Sequence, residues 1–161
     1  MTALTQALSN PARDLLVLLD IVFHGVVGYT AVYYLTDFPP RWGLVGGLVP
    51  NLDLPLSLWF AFPLVHRGIF HTVFFLAVLL LALFSLGIDR RAIGAFGVGY
   101  LFELATDTLE TTRGVMWLYP LSTHHFAYPP PVSEYLWLPV AFGAVVVLLA
   151  AAVRGSPRRS D

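Results

Sequence analysis

The sequence predicts an all-α fold: a polytopic membrane bundle of about four transmembrane helices plus one re-entrant or interfacial segment of broken helix. Composition is the first reason. Of 161 residues, 57% are hydrophobic and 12% charged, with a mean hydropathy of +0.73, far from the balance of a soluble globule. The second is length, since the apolar residues gather into stretches of roughly 20, which is what a helix needs to cross about 30 Å of hydrocarbon. The third is punctuation, because many of the prolines, glycines and charged residues fall at the ends of these stretches. One integral membrane domain over residues 1–161 is the expectation.

Taken in order, Ser9-Asn10-Pro11 offers a helix start, a capping side chain followed by a proline in the first turn. The first span, 13–35, runs from about Asp14 to Leu35, roughly 33 Å at the helical rise, and ends at Thr36-Asp37-Phe38-Pro39-Pro40. It is too long for a signal-peptide core and no small-residue cleavage pattern follows, so it is expected to be retained. The segment 42–62 is cut by Gly43, Gly46, Gly47, Pro50 and Pro55. Backbone facing lipid cannot be left unpaired, so this segment reads as two short helices meeting around Pro50-Asn51-Leu52-Asp53 rather than as a crossing. The next span, 69–86, closes at Gly87 and the polar turn Asp89-Arg90-Arg91, and a further span, 92–111, ends near Gly114. A long connection with Trp117, Tyr119 and Tyr128 has the aromatics of a membrane interface. A last span, 134–153, starts after Ser133 and precedes a short basic tail, 154–161.

Charge excludes some functions and orients the rest. All nine basic residues are arginine and the net charge is −1, so there is no basic field for nucleic acid and none is expected as a partner. The cysteine count is zero, which removes disulfides, thiolate metal sites and cysteine nucleophiles and leaves any metal to His, Asp and Glu. With segment 42–62 not crossing, one side of the membrane carries Arg13, Arg90, Arg91, Arg154, Arg158 and Arg159, and the other Arg41, Arg67 and Arg113. The first side is then cytoplasmic, and Asp53, His66, His71 and Asp107 fall near the outer ends of the spans.

The stretch Val65-His66-Arg67-Gly68-Ile69-Phe70-His71-Thr72 puts two imidazoles and a guanidinium where a polar connection meets an apolar segment, a setting in which ionisable groups mark function. Residues five apart on a helix point about 140° from each other. His66 is therefore expected in the turn before the helix, punctuated by Pro63 and Gly68, with His71 in the first helical turn. Asp20 and His24 are four apart and share a helix face, as do Glu103, Asp107 and Glu110. Three carboxylates on one face call for a cation or for protons. They read as metal ligands facing the histidines, or as partners of Arg113 or Arg67 with one acid protonated by burial; the metal is preferred because intramembrane acids are functional by default. Asp53 is a turn or capping residue or a ligand. His24 is a core histidine bonded to a carbonyl or to Asp20, or a ligand whose ring Asp20 orients. Arg67 offers its planar fork to an anion, phosphate being the natural guess, or reaches to headgroups. His124 and His125 are expected to be exposed, and Arg113 to pair with Glu110.

The order of these motifs resembles the membrane-bound, metal-dependent hydrolase family, also described as LexA-binding, inner-membrane-associated hydrolases. That family carries a first-helix histidine, matched by His24, and a Pro-Asp-x-Asp turn, matched by Pro50-Asn51-Leu52-Asp53. Its His-Arg-Gly-x-x-His-Ser block, the most specific piece, is matched by His66 through Thr72. A His and an Asp four apart in a later helix are matched by Glu103 and Asp107, and the following Gly and Pro by Gly114 and Pro120. The chain departs from the pattern at Asn51, where the family has an aspartate, at Glu103, where it has a histidine, and more mildly at Thr72. The resemblance implies a metal site and, more loosely, a hydrolytic reaction.

The combined expectation is a divalent metal, zinc foremost with manganese or iron allowed by a nitrogen and oxygen ligand set, held by a subset of His24, Asp53, His66, His71, Glu103 and Asp107. A metal-activated water would attack, Glu103 or Asp107 would be general base, and Arg67 would hold the anionic part of the substrate. The expected partners are membrane lipids and an anionic or lipid-linked ester or phosphoester, in a prokaryotic cell membrane with the pocket opening to the extracytoplasmic side. A reading from a different class is a non-catalytic membrane protein or transporter whose same residues form a proton or cation relay.

Overall fold

Proline opens the first helix, α1 (Pro11–Leu35); its fixed φ suits a first turn, where a missing N–H breaks no bond. The computed structural model of the chain describes residues 11–57, 59–110 and 114–127. The last span 134–153, the tail 154–161, the Ser9-Asn10 cap and the pairing of Glu110 with Arg113 lie outside the described residues.

After α1 come α2 (Pro40–Leu48), a 3-10 turn at Pro50–Leu52 and the one-turn α3 (Asp53–Leu56). A loop then leads to a second 3-10 turn at Ile69–His71, to α4 (Val73–Ser85) and to α5 (Arg90–Glu110). Among the described residues the fold is helical, with one isolated antiparallel bridge between Val115 and Phe126. Segment 42–62 is thus two short helices broken at Pro50, whose ring cannot continue the i to i−4 ladder.

Helices α1, α2 and α5 pack against one another, and glycine sets how closely. A Cβ on Gly99 of α5 would overlap the carbonyl of Gly43 in α2, and one on Gly28 of α1 would overlap that same carbonyl. Three backbones meet at Gly43, an approach only residues without a side chain allow. This contact draws His24 of α1 and Glu103 of α5 toward one another across the bundle. The adjoining apolar core is Leu76, Phe96, Tyr100, Leu104 and Val115.

The turn between α4 and α5 follows local rules. Gly87 takes a φ of +73°; its N–H donates to the Phe84 carbonyl and that of Ile88 to the Leu83 carbonyl, a Schellman ending. Asp89 then caps α5, accepting the N–H groups of Arg91 at 3.0 Å and Ala92 at 3.2 Å.

The span expected over 69–86 is shorter as a helix. Thr72 is extended and its hydroxyl accepts the Phe75 N–H at 3.0 Å, so it is the N-cap of α4. His71 belongs to the separate 3-10 turn rather than to the first turn of the long helix. The 13 residues of α4 extend about 20 Å, short of the hydrocarbon thickness. Among the described residues one helical stretch, Val17–Leu35, is long and apolar enough to cross a membrane. Helix α5 has the length, at 21 residues, but carries Glu103 and Asp107. On α4, Phe74, Val78, Leu81 and Phe84 are all exposed, an apolar stripe of the kind that marks a lipid or protein contact.

Candidate metal centre

Four separate pieces of chain bring polar groups together beside this glycine contact. His24 comes from the middle of α1, Asp53 from the start of α3, His66, Arg67 and His71 from the loop and turn ahead of α4, and Glu103 and Asp107 from α5. His24, Asp53, His71, Glu103 and Asp107 are fully buried, while the side chain of His66 is 29% exposed and that of Arg67 is 14% exposed. The cluster therefore has a closed interior and one more open edge.

The closed interior holds two imidazole Nε2 atoms and two carboxylates. His24 Nε2 lies 3.4 Å from Asp107 Oδ1, and His71 Nε2 lies 3.1 Å from Glu103 Oε1 and 3.3 Å from Asp107 Oδ2. A tetrahedral zinc site with ligand distances of about 2.0–2.1 Å has ligand-to-ligand edges of about 3.3–3.4 Å; each of these three separations is close to that length, with His24 and His71 facing different oxygens of Asp107. Neither ring nitrogen of His71, although fully buried, meets the geometry of a hydrogen bond, and neither does Glu103 Oε2. Buried polar atoms are almost always paired, and a bound ion with its water would supply the missing partners.

The histidine tautomer at His24 is fixed from behind. Its Nδ1–H donates to the Asp20 carbonyl at 2.9 Å, and a carbonyl can only accept, so in the neutral ring Nε2 carries the lone pair. The Asp20 carboxylate, expected to orient this ring, stands 4.0 Å away; the backbone oxygen does the holding.

Asp53 organises the open edge. Its Oδ1 lies 3.0 Å from His66 Nδ1, its Oδ2 lies 3.0 Å from His71 Nδ1 and accepts the Arg67 backbone N–H at 3.0 Å. Burial would raise its carboxyl, but the hydrogen bond from His66 and the adjacent His71 prevail and hold it below the ordinary carboxylate range. Arg67 bridges the two halves. It adopts a left-handed φ of 63°, and its guanidinium donates through Nε to Asp107 Oδ2 and through Nη2 to Asp107 Oδ1, each at 3.0 Å. A non-glycine residue in that conformation is strained and needs such anchors.

Charge makes the same point as geometry. Asp53, Glu103 and Asp107 against Arg67 leave two negative charges when the histidines are neutral, and the charge of one divalent cation cancels them.

The chain is also comparable with known proteins. A family model described as YdjM inner membrane protein matches residues 19–160. The chain belongs to the YdjM inner membrane protein family. Membership ties it to the inner membrane, in keeping with its composition, and extends over the region of the expected last span; the description names a location and no reaction. No curated protein and no solved structure matches the chain.

In this YdjM-family chain the candidates fall into two groups whose ligand atoms lie within 4.8 Å of one another, Asp53 with His66 and His71, and His24 with Glu103 and Asp107. Arg67 sits on Asp107. His124 and His125 are exposed and stand apart from both groups. Two contributors lack an obvious signal in the sequence. Tyr100, fully buried in α5, donates its hydroxyl proton to the Phe70 carbonyl and so pins the turn that carries His71; it looks like one more apolar residue on an apolar helix. Asn51 donates through Nδ2 to Glu103 Oε1 at 3.3 Å. Two of the three positions at which the chain departs from the resembled pattern, Asn51 and Glu103, thus touch each other, which only the fold reveals.

Proposed function

We propose that this protein is a metal-dependent hydrolase of the inner membrane, acting on an ester or phosphoester of an amphipathic or lipid-linked substrate. The observation that carries the reading is a buried cluster in which His24 Nε2 lies 3.4 Å from Asp107 Oδ1, and His71 Nε2 lies 3.1 Å from Glu103 Oε1 and 3.3 Å from Asp107 Oδ2. Two imidazoles and two carboxylates suit zinc, and also manganese or iron. When bound, the ion would polarise an oxygen of the substrate and lower the pKa of a water toward about 7.

The chain's own residues do the rest. His24 is held in its ligating tautomer by the Asp20 carbonyl. Glu103, with Oε1 turned to His71 and Asn51, has Oε2 as the atom to take a proton from the attacking water. Arg67 balances part of the acidic charge and, as the cation at the open edge, draws an anionic substrate inward. An amphipathic substrate is favoured because it is already dissolved where such a site would open.

Topology belongs to the same proposal. Four crossings, over 13–35, 69–86, 92–111 and 134–153, place the arginine excess in the cytoplasm and the cluster toward the extracytoplasmic side. The span over 69–86 then includes the irregular turn at Ile69–His71, which at membrane depth needs its backbone paired or buried against protein.

The test is metal analysis of protein purified gently in detergent. About one tightly bound divalent ion or more per chain supports the proposal, with loss in His71→Ala and in Asp107→Asn. A metal-free wild type that takes up no added zinc, manganese or iron contradicts it. In that case two protonated histidines would neutralise the acids, and a proton relay becomes the better reading.

A further inference from the structure

We infer that the centre takes two ions rather than one, with His71 between them: a closed inner ion on His24, His71 Nε2, Glu103 and Asp107, and an open outer ion on Asp53, His66 and His71 Nδ1. The inference rests on the metal-centre reading above and adds a second site, its ligands and its open face.

The ring of His71 is the first reason. Its Nε2 faces the two α5 carboxylates and its Nδ1 lies 3.0 Å from Asp53 Oδ2, yet neither nitrogen makes a hydrogen bond. A histidine serving only one ion ordinarily donates its other N–H to a carboxylate or carbonyl behind it, as His24 does to the Asp20 carbonyl at 2.9 Å. On that side His71 faces Asp53, itself one of the proposed outer ligands. Both its lone pairs can be used if the ring gives up its remaining proton to bulk water as the second ion binds.

The second reason is the ligand group itself. His66 and His71 meet edge to face with ring centroids 5.1 Å apart, and His66 Nδ1 and His71 Nδ1 each lie 3.0 Å from an oxygen of Asp53.

Exposure divides the labour. The inner set is four side chains, all fully buried; the outer set is three, and His66 is 29% exposed, so the outer ion is the one with an open position for an added ligand. Three carboxylates and a deprotonated ring against one guanidinium leave three negative charges, so two divalent ions give a small positive excess at the open face. The ligand class that fits is an anionic oxygen, such as a phosphoryl group, taken at the outer ion beside Arg67.

The experiment is stoichiometric titration of the full-length, metal-stripped protein in detergent with Co2+, followed by visible absorption, and with Mn2+, followed by electron paramagnetic resonance. Two equivalents, with a spin-coupled manganese pair, are expected. His66→Ala and Asp53→Asn should each bind one ion, with an uncoupled manganese spectrum, and inorganic phosphate should perturb the cobalt spectrum of the wild type but not that of His66→Ala. One equivalent in the wild type overturns the inference and leaves the inner site standing, whereas none overturns both. Two equivalents that survive in His66→Ala and Asp53→Asn also overturn it, because the second ion then lies elsewhere. Should those variants fail to fold, the wild-type count and spin coupling decide the matter alone.

Discussion

Arg67 is the residue at which the loop, α5 and Asp53 are tied together. Its left-handed backbone is tolerated because its N–H and guanidinium are both engaged on buried acids. Glycine relieves the conformation while alanine does not, so Arg67→Gly should be more stable than Arg67→Ala by about 1 kcal/mol, measured by thermal unfolding in detergent; equal stabilities would remove strain from the explanation. Asp53 gives a prediction in pH. Its carboxyl lies below the ordinary aspartate range in the folded chain, so its contribution to stability is present above the ordinary aspartate pKa of about 3.9 and lost as pH falls through the lower folded value. In metal-stripped protein the stability advantage of the wild type over Asp53→Asn should shrink on acidification below that point; an advantage that grows instead would contradict the assignment. At this scale the sequence was informative wherever an ionisable side chain stood in an apolar setting, as with His24, His71, Glu103 and Asp107. It was silent for Tyr100, whose role depends on which carbonyl the fold sets against its hydroxyl.

Among the elements, the three-helix contact of α1, α2 and α5 decides whether the ligands meet. A side chain at Gly99 would press on the Gly43 carbonyl, part α2 from α5 and move Glu103 away from Asn51. Gly99→Ala should cost about 1–3 kcal/mol, the range for overpacking, and should weaken metal binding although it touches no ligand. Gly87→Ala, in open space but with a φ of +73°, should lower stability modestly and leave metal content unchanged. Unchanged metal affinity in Gly99→Ala would mean that the glycine contact does not position the centre. The prolines and glycines of segment 42–62 foretold its break at Pro50 because each acts locally. The start of α4 was misjudged because Thr72, an ordinary residue inside an apolar run, ends the 3-10 turn by capping the next helix with its hydroxyl.

For the whole molecule, membership in a family of inner membrane proteins and the apolar composition place the chain at a membrane, while the number of crossings remains part of the proposal. The absence of cysteine in the sequence makes a clean test available, because any introduced thiol is unique. With four crossings, a membrane-impermeant maleimide should label Thr123→Cys in intact spheroplasts and Ser85→Cys only after lysis. Labelling of both in intact spheroplasts, or the reverse pattern, would contradict that topology. Why α4 is shorter than its apolar run and how far the irregular turn ahead of it lies within the membrane are questions of tertiary burial, to which hydropathy is blind. Elemental analysis of the gently purified wild type beside His71→Ala addresses the central claim most directly. Bound divalent metal in the wild type and its loss in the variant is the expected result; a wild type that neither carries nor takes up metal would show that these buried imidazoles and carboxylates serve one another and no ion.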